Sequence, residues 1–313
     1  MTEPLALGID IGGTNTAYGI VNRRGEIIVK GSLPTIGHGS VEKYIDALKR
    51  ELLPVMEQVG RGKIIGAGVG APNGNFFTGE IVFAPNLPWR GVIQMAKLIG
   101  EALSVTATLT NDANAAAIGE MIYGAAKGMK DFILVTLGTG VGSGFVANGE
   151  LIYGHDGFAG ELGHVIAVRG GRKCGCGRRG CLEAYASATG IVRSAEEMLQ
   201  ETEDDTILRA QQGRITARMI HDAAMQGDAF GIGLFEYTAK ILGQTLADMV
   251  AVTSPEAIIF FGGLAQAGDL LLKPLHHHLE ENLLNIYKNK VKLLQSALPD
   301  ADAAILGASA LVW

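Results

Sequence analysis

The stretch Leu5-Ala6-Leu7-Gly8-Ile9-Asp10-Ile11-Gly12-Gly13-Thr14 sets the architecture of this chain. An apolar run carrying one carboxylate and ending in two glycines reads as a buried strand that closes in a tight turn. Ala17 to Val21 reads as a second strand, and Arg23-Arg24-Gly25-Glu26 as a hairpin turn before Ile27-Ile28-Val29. The same plan returns as Phe132-Ile133-Leu134-Val135-Thr136-Leu137-Gly138-Thr139-Gly140, then Gly144-Phe145-Val146-Ala147 and Asn148-Gly149-Glu150-Leu151-Ile152. Gly13, Thr14 and Gly19 match Gly138, Thr139 and Gly144 at one offset, and Gly25-Glu26 matches Gly149-Glu150 after a one-residue slip. This is the signature of a duplicated β-hairpin unit, one copy opening each of two domains.

Working outward, Val41 to Val59 carries apolar residues at helical spacing, Lys63 to Val69 reads as a buried strand, and Val92 to Leu103 as a helix. Val105 to Leu109 alternates as a strand does and leads into the small-residue helix Ala113 to Glu120. Further on, Ala188 to Thr202, Ile215 to Met225 and Phe230 to Val252 read as helices, Gln200 to Asp205 as a polar loop, and Ala257 to Phe261 as a buried strand before Gly262-Gly263. Strands alternating with helices give an α/β class. The consecutive His276, His277 and His278 point around a helix rather than at one ion, so they read as a solvated face.

The 313 residues, 48% of them hydrophobic, suffice for two domains with cores of their own. Twenty-six Lys and Arg against 32 Asp and Glu leave a net charge of −6, which supplies no basic field for a nucleic acid or an anionic membrane. No apolar run approaches the ~18 residues that span a bilayer, and Met1-Thr2-Glu3-Pro4 lacks the basic start of a signal peptide. A soluble cytoplasmic protein is the expectation. The three cysteines all lie between Cys174 and Cys181, a spacing suited to a metal rather than to disulfides.

Two glycine turns, Gly12-Gly13-Thr14-Asn15 and Gly138-Thr139-Gly140-Val141-Gly142, each follow a strand and offer backbone N–H groups to a polyphosphate. Another strand follows each, so neither is a P-loop or a Rossmann turn. Asp10 adds a carboxylate suited to Mg²⁺ through water, and Gly262-Gly263 could admit a flat adenine ring. Cys174-x-Cys176-x4-Cys181 presents three thiolates, with His164 the nearest histidine in sequence. That set favours a closed, structural Zn²⁺ site. Zinc would take one ring nitrogen of His164, leaving the other for a ligand, and wrapping the segment around it would gather Glu161 and Glu183 beside that imidazole.

Asp10-Ile11-Gly12-Gly13-Thr14, Asn111-Asp112-Ala113-Asn114-Ala115, Leu137-Gly138-Thr139-Gly140-Val141-Gly142, Glu161-Leu162-Gly163-His164 and the run from Cys174 to Glu183 together resemble the ROK group of sugar kinases, within the actin/hexokinase-like superfamily, over essentially the whole chain. The resemblance implies a two-domain actin/hexokinase-like (ribonuclease H-like) fold, with residues 1–111 plus 300–313 in an N-terminal α/β domain and 112–299 in a C-terminal α/β domain carrying the zinc motif. It implies that the hairpin loops grip ATP across an interdomain cleft, and that the final helix, Ala304 to Val312, packs back on the first domain. By the same resemblance Asp112 is the general base, although an Asp before an Ala-rich helix also reads as an N-cap. Asn86, Asn111, Glu161, His164 and Glu183 would bind the sugar, His164, Cys174, Cys176 and Cys181 would hold zinc, and the protein would be a homodimer.

One stretch departs from the group's pattern: many relatives carry Pro-Gly-x-Val-Asp where this chain has Pro72-Asn73-Gly74-Asn75-Phe76-Phe77. Asn73 and Gly74 are still expected at the sugar. The implied activity is transfer of the γ-phosphoryl of ATP to the 6-hydroxyl of glucose, since Ala84-Pro85-Asn86-Leu87-Pro88-Trp89 is similar to glucokinase members of the group. N-acetylglucosamine, N-acetylmannosamine and fructose stay open as acceptors. A sugar-responsive repressor of the same group would place a helix-turn-helix ahead of the first hairpin, where four residues precede Leu5. Closure on sugar is expected about hinges near Thr110 to Ala113 and Leu298 to Asp302.

Overall fold

The computed structural model describes residues 3–203, 205–299 and 302–313. Outside the described residues lie the expected domain boundary at residue 300, the centre of the Leu298–Asp302 hinge, the start of the leader reading and one position of the Gln200–Asp205 loop.

β1 (Leu5–Ile11) and β2 (Asn15–Asn22) form the first hairpin, with Asp10 opposite Ala17. β3 (Ile27–Pro34) pairs antiparallel with β2. Ser40 caps α1 (Val41–Val59) by accepting from the Lys43 N–H, and Tyr44, Leu48, Leu52 and Met56, spaced four apart, bury one stripe of that helix on the sheet. β4 (Ile64–Gly70) then runs parallel beside β1. β5 (Ile81–Val82) and β6 (Val92–Ile93) make a small ribbon ahead of α2 (Met95–Leu103), so the helix read from Val92 begins three residues later; Val92 and Ile93 are spent on pairing with β5. β7 (Ala107–Thr110) completes a sheet of order β3-β2-β1-β4-β7 and leads into α3 (Asp112–Tyr123).

β8 (Phe132–Leu137), β9 (Val141–Ala147) and β10 (Glu150–Leu151) repeat the opening meander. A helical layer follows: α4 (Glu183–Ala186), α5 (Ala188–Glu201), α6 (Ala217–Met225) and α7 (Ala229–Thr253). β11 (Ala257–Phe261), α8 (Asp269–Asn282) and β12 (Lys292–Gln295) close a second sheet, of order β10-β9-β8-β11-β12. In both sheets the first strand has an antiparallel hairpin on one side and two parallel strands on the other. The duplication therefore spans five strands, not the hairpin alone.

Each sheet has its own apolar cluster, around Leu7, Ile9, Leu48 and Val69 in the first and Val135, Leu182, Leu242 and Leu275 in the second. α3 and the last helix, α9 (Ala303–Ala310), lie between them. Ala116 and Ala117 pack with Phe132 and Ile259, while Ile305 and Leu306 pack with Val21. α9 sits so close to β4 that a Cβ on Gly68 would stand 1.8 Å from the Ala308 carbonyl oxygen. Only glycine admits that approach.

Candidate active site

Ligands in open α/β sheets bind beyond the carboxyl ends of parallel strands, and here both sheets aim those ends at one cleft of about 490 Å³. The first sheet contributes Asp10 at the end of β1, Pro72 and Asn73 after β4, and Asn111 and Asp112 after β7. The second contributes Thr136 on β8, the Gly138–Gly142 turn, and Phe261 and Gly262 after β11. Ala113 and Ala116 of α3 and Ala303 and Ala304 of α9 also line it.

Asp10 and Asp112 face this space across Gly70, whose Cβ, if present, would lie 3.3 Å from Asp10 Oδ1 and 3.8 Å from the Asp112 Cα. Burial, and then the neighbouring Asp112 carboxylate, pushes Asp10 up to about 7. Burial likewise raises Asp112, against the backbone N–H groups that favour its charged form; the Ala113 N–H donates to Asp112 Oδ1 at 2.9 Å. A buried carboxylate of raised basicity at a helix N-terminus is a poised proton acceptor. The cap of α3 is Asn111 rather than Asp112: Asn111 Oδ1 accepts from the Asn114 N–H at 2.7 Å, which leaves the Asp112 carboxylate turned to the cleft. Asn111 thus spends its oxygen on the helix and keeps its amide N–H₂ for a ligand.

Across the cleft stand Glu161, His164 and Glu183. His164 Nδ1 lies 3.7 Å from Cys174 Sγ, Cys176 Sγ lies 3.6 Å from Cys181 Sγ, and the four ligand atoms are all within 4.8 Å of one another. A tetrahedron of Zn–S bonds near 2.3 Å has edges of about 3.8 Å, so two of the pairs already stand at zinc-site spacing and the donor set fits zinc with shifts of about 1 Å at most. The other ring nitrogen, Nε2, faces Glu161 at 4.0 Å and the cleft. Burial raises Glu161, opposed by His164 and reinforced by Asp112 and Glu183.

Glu183 does more than line the cleft, since its Oε2 accepts from the Val141 N–H at 3.0 Å and so ties the glycine turn to the cysteine segment. A side chain at Gly140 would collide with that carboxylate at 2.3 Å. The start of α5 holds the same turn, with Ala188 N–H on the Gly138 carbonyl and Thr189 Oγ1 on the Thr139 carbonyl, both at 2.8 Å. Arg172, buried against Tyr185 and paired with Glu197, anchors the cysteine segment on α5.

Not every residue expected at the site lines the cleft. Gly12, Gly13, Thr14 and Asn15 form the β1–β2 turn outside its wall, where Gly13 presses on the Asn86 backbone. Gly74 is buried beneath the Thr110 carbonyl and serves packing, whereas Asn73 and Asn86 do reach the cleft, although Asn73 Nδ2 already donates to the Val82 carbonyl at 3.0 Å. Gly262 lines the cleft; Gly263 lines a separate hollow with Ala188, Phe235 and Gln266.

Sequence reasoning missed Ser143, whose hydroxyl donates to the Gly160 carbonyl and accepts from the Leu162 N–H, fixing the segment that carries Glu161. Its place in Gly142-Ser143-Gly144 is the one local signal for it. A second omission is a clasp between the Pro72–Phe77 loop and the segment after β10. Phe76 stacks on Tyr153 at 4.1 Å and 11°, and buried Asn75 donates to the Asp156 carbonyl at 2.6 Å.

The ROK family model matches residues 6–313. The chain is similar to a glucokinase of Halalkalibacterium halodurans, 37% identical over all of this chain and 96% of that one. It is also similar to an N-acetylmannosamine kinase of Escherichia coli, 32% identical over 93% of this chain and 97% of that one. Among solved structures it resembles a ROK family glucokinase from Streptomyces griseus in complex with glucose and AMPPNP, with a TM-score of 0.79 and 32% identity over 98% of each chain.

Proposed function

This chain belongs to the ROK family, and from that premise we propose that it is an ATP-dependent glucokinase whose transfer step is organised by Asp112. The 6-hydroxyl oxygen of glucose attacks the γ-phosphorus of ATP, the new P–O bond forms as the bond to the β-phosphate oxygen breaks, ADP leaves, and the hydroxyl proton passes to Asp112. The observation that carries this reading is the sharing of one cleft by Asp112, the Glu161–His164–Glu183 cluster and the Gly138–Gly142 turn. A base, a hydroxyl-binding wall and a phosphate-binding turn then face a single substrate pair. Phosphoryl transfer owes most of its acceleration to positioning and charge stabilisation, so Asp112 serves as much to orient the hydroxyl as to accept its proton.

Asn86, Asn111, Glu161, His164 and Glu183 bind the sugar hydroxyls, with Asn73 beside them. Asp10, its basicity raised by burial and then by Asp112, is the side chain suited to hold Mg²⁺ through water, and the bound ion would supply neutralisation of phosphate charge. His164, Cys174, Cys176 and Cys181 hold a structural zinc that fixes the imidazole toward the sugar. The Gly138–Gly142 turn takes the phosphates within the cleft, the Gly12–Asn15 turn, outside its wall, meets them from the opposite side only when the domains close, and Gly262 takes the adenine with Gly263 in the hollow beside it. On this reading the domains are 1–111 plus 300–313 and 112–299, and the protein works as a cytoplasmic homodimer. Among the described residues no helix is long and apolar enough to cross a membrane.

An N-acetylhexosamine, N-acetylglucosamine or N-acetylmannosamine, is the second reading, favoured by the similarity to the Escherichia coli N-acetylmannosamine kinase. ADP release measured with glucose, mannose, fructose, N-acetylglucosamine and N-acetylmannosamine decides between them. Glucose is expected to give the highest kcat/KM; a higher value with an N-acetylhexosamine would replace it.

A further inference from the structure

The three consecutive histidines do not behave alike. His276 and His277 are exposed, but His278 is 9% exposed and wedged between α7 and α8, which corrects the reading of a wholly solvated face. His278 Nε2 lies 2.6 Å from Glu236 Oε1 of α7. A neutral imidazole carries one N–H, and this contact uses it, so Nδ1 presents a lone pair. That lone pair faces Glu281 Oε2 at 3.5 Å, and the other oxygen of the same carboxylate faces His277 Nε2 at 3.3 Å. Electron-pair donors thus converge from three side chains, with ligand atoms all within 4.8 Å of one another.

We infer that His277, His278 and Glu281 bind one divalent transition-metal cation, with Glu236 orienting His278 from behind. The spacings are i,i+4 and i,i+3 along one helix, the two that place side chains together. Each imidazole stands 3.3 or 3.5 Å from one oxygen of the same carboxylate, close to the donor–donor edge of about 3.4 Å that bonds near 2.1 Å give, so Glu281 can meet an ion beside either ring with one oxygen or both. Exposed His277 has the rotamer freedom to complete the third edge. Two imidazoles and one carboxylate favour Zn²⁺, Ni²⁺ or Cu²⁺ over Mg²⁺ or Ca²⁺. The Glu236–His278 contact is the carboxylate–histidine–metal arrangement that fixes tautomer and ring orientation. None of these four residues lines the catalytic cleft, so the ion would sit on α8 and brace its contact with α7 through His278 and Glu236 rather than join the reaction.

Calorimetric titration of Ni²⁺ into the full chain, with its cysteine site already loaded with zinc, tests the site. One Ni²⁺ per chain is expected. Glu281→Gln should weaken binding at least tenfold, and Glu236→Gln, which removes no direct ligand, should weaken it about tenfold; His276→Ala should leave it unchanged. Kinase turnover, unaltered in all three variants, reports that they are folded. Co²⁺ in place of Ni²⁺ should show ligand-field absorption without the thiolate charge-transfer band of a cysteine site. Absence of bound Ni²⁺, equal affinity in Glu281→Gln, dependence on His276 instead, or protonation of His278 without metal uptake would each overturn the proposal.

Discussion

Replacing Asp10 by Asn should make the ligand-free protein more stable while impairing the enzyme. Burial and the Asp112 carboxylate raise Asp10 from its ordinary 3.8 to about 7, so the folded state holds this proton more tightly than the unfolded chain does. Charging Asp10 therefore costs stability, in full above pH 7, in part between 4 and 7, and not at all below the unfolded value. At about 1.4 kcal/mol per pH unit the whole interval converts to about 4 kcal/mol. Sharing of the effect with Asp112 and water in the cleft reduce the expected gain in Asp10→Asn to about 1–3 kcal/mol at pH 8, or roughly 2–6 °C in Tm. Scanning calorimetry of both proteins without nucleotide or Mg²⁺, at pH 5 and pH 8, measures it, with ADP release recorded alongside. The gain should be largest at pH 8 and should shrink at pH 5, with activity reduced at both. A variant no more stable than the parent at pH 8, or one whose gain is independent of pH, would refute the reasoning that the cleft stores unfavourable charge for a cation to relieve.

Metal analysis should find one zinc per chain in the cysteine site, and Cys176→Ala should raise the KM for sugar about tenfold with a smaller effect on kcat, because His164 loses its anchor. Tyr153→Ala removes the stack on Phe76, worth about 0.5–1.5 kcal/mol; small-angle scattering should then show a larger radius of gyration without sugar and a normal one with saturating sugar. Gly68→Ala drives a methyl group into the Ala308 carbonyl and should cost about 3 kcal/mol, read as a lowered Tm.

The hairpins at Leu5 and Phe132 were legible because strand alternation and glycine turns are local signals, and Asp10 and Asp112 because each stands where a strand ends. The parallel strands that extend the duplication carry no shared marker: β12 is only Lys292-Leu293-Leu294-Gln295, half-buried at a sheet edge. β5 and β6 are too short to show any period. Asn111 and Asp112 stand side by side, and sequence could not tell which one capped α3; the Asn114 N–H settles it. The Phe76–Tyr153 clasp joins residues far apart in the chain, and His278 is buried only because α7 packs over it. Both depend on tertiary packing, which no local pattern encodes.

Glucose-dependent ADP release by Asp112→Asn, at concentrations that saturate the sugar site as judged by calorimetry, tests the assignment of the base most directly. The account predicts turnover lowered by about 10² or more with sugar affinity kept within about tenfold. Turnover close to that of the parent protein would contradict it.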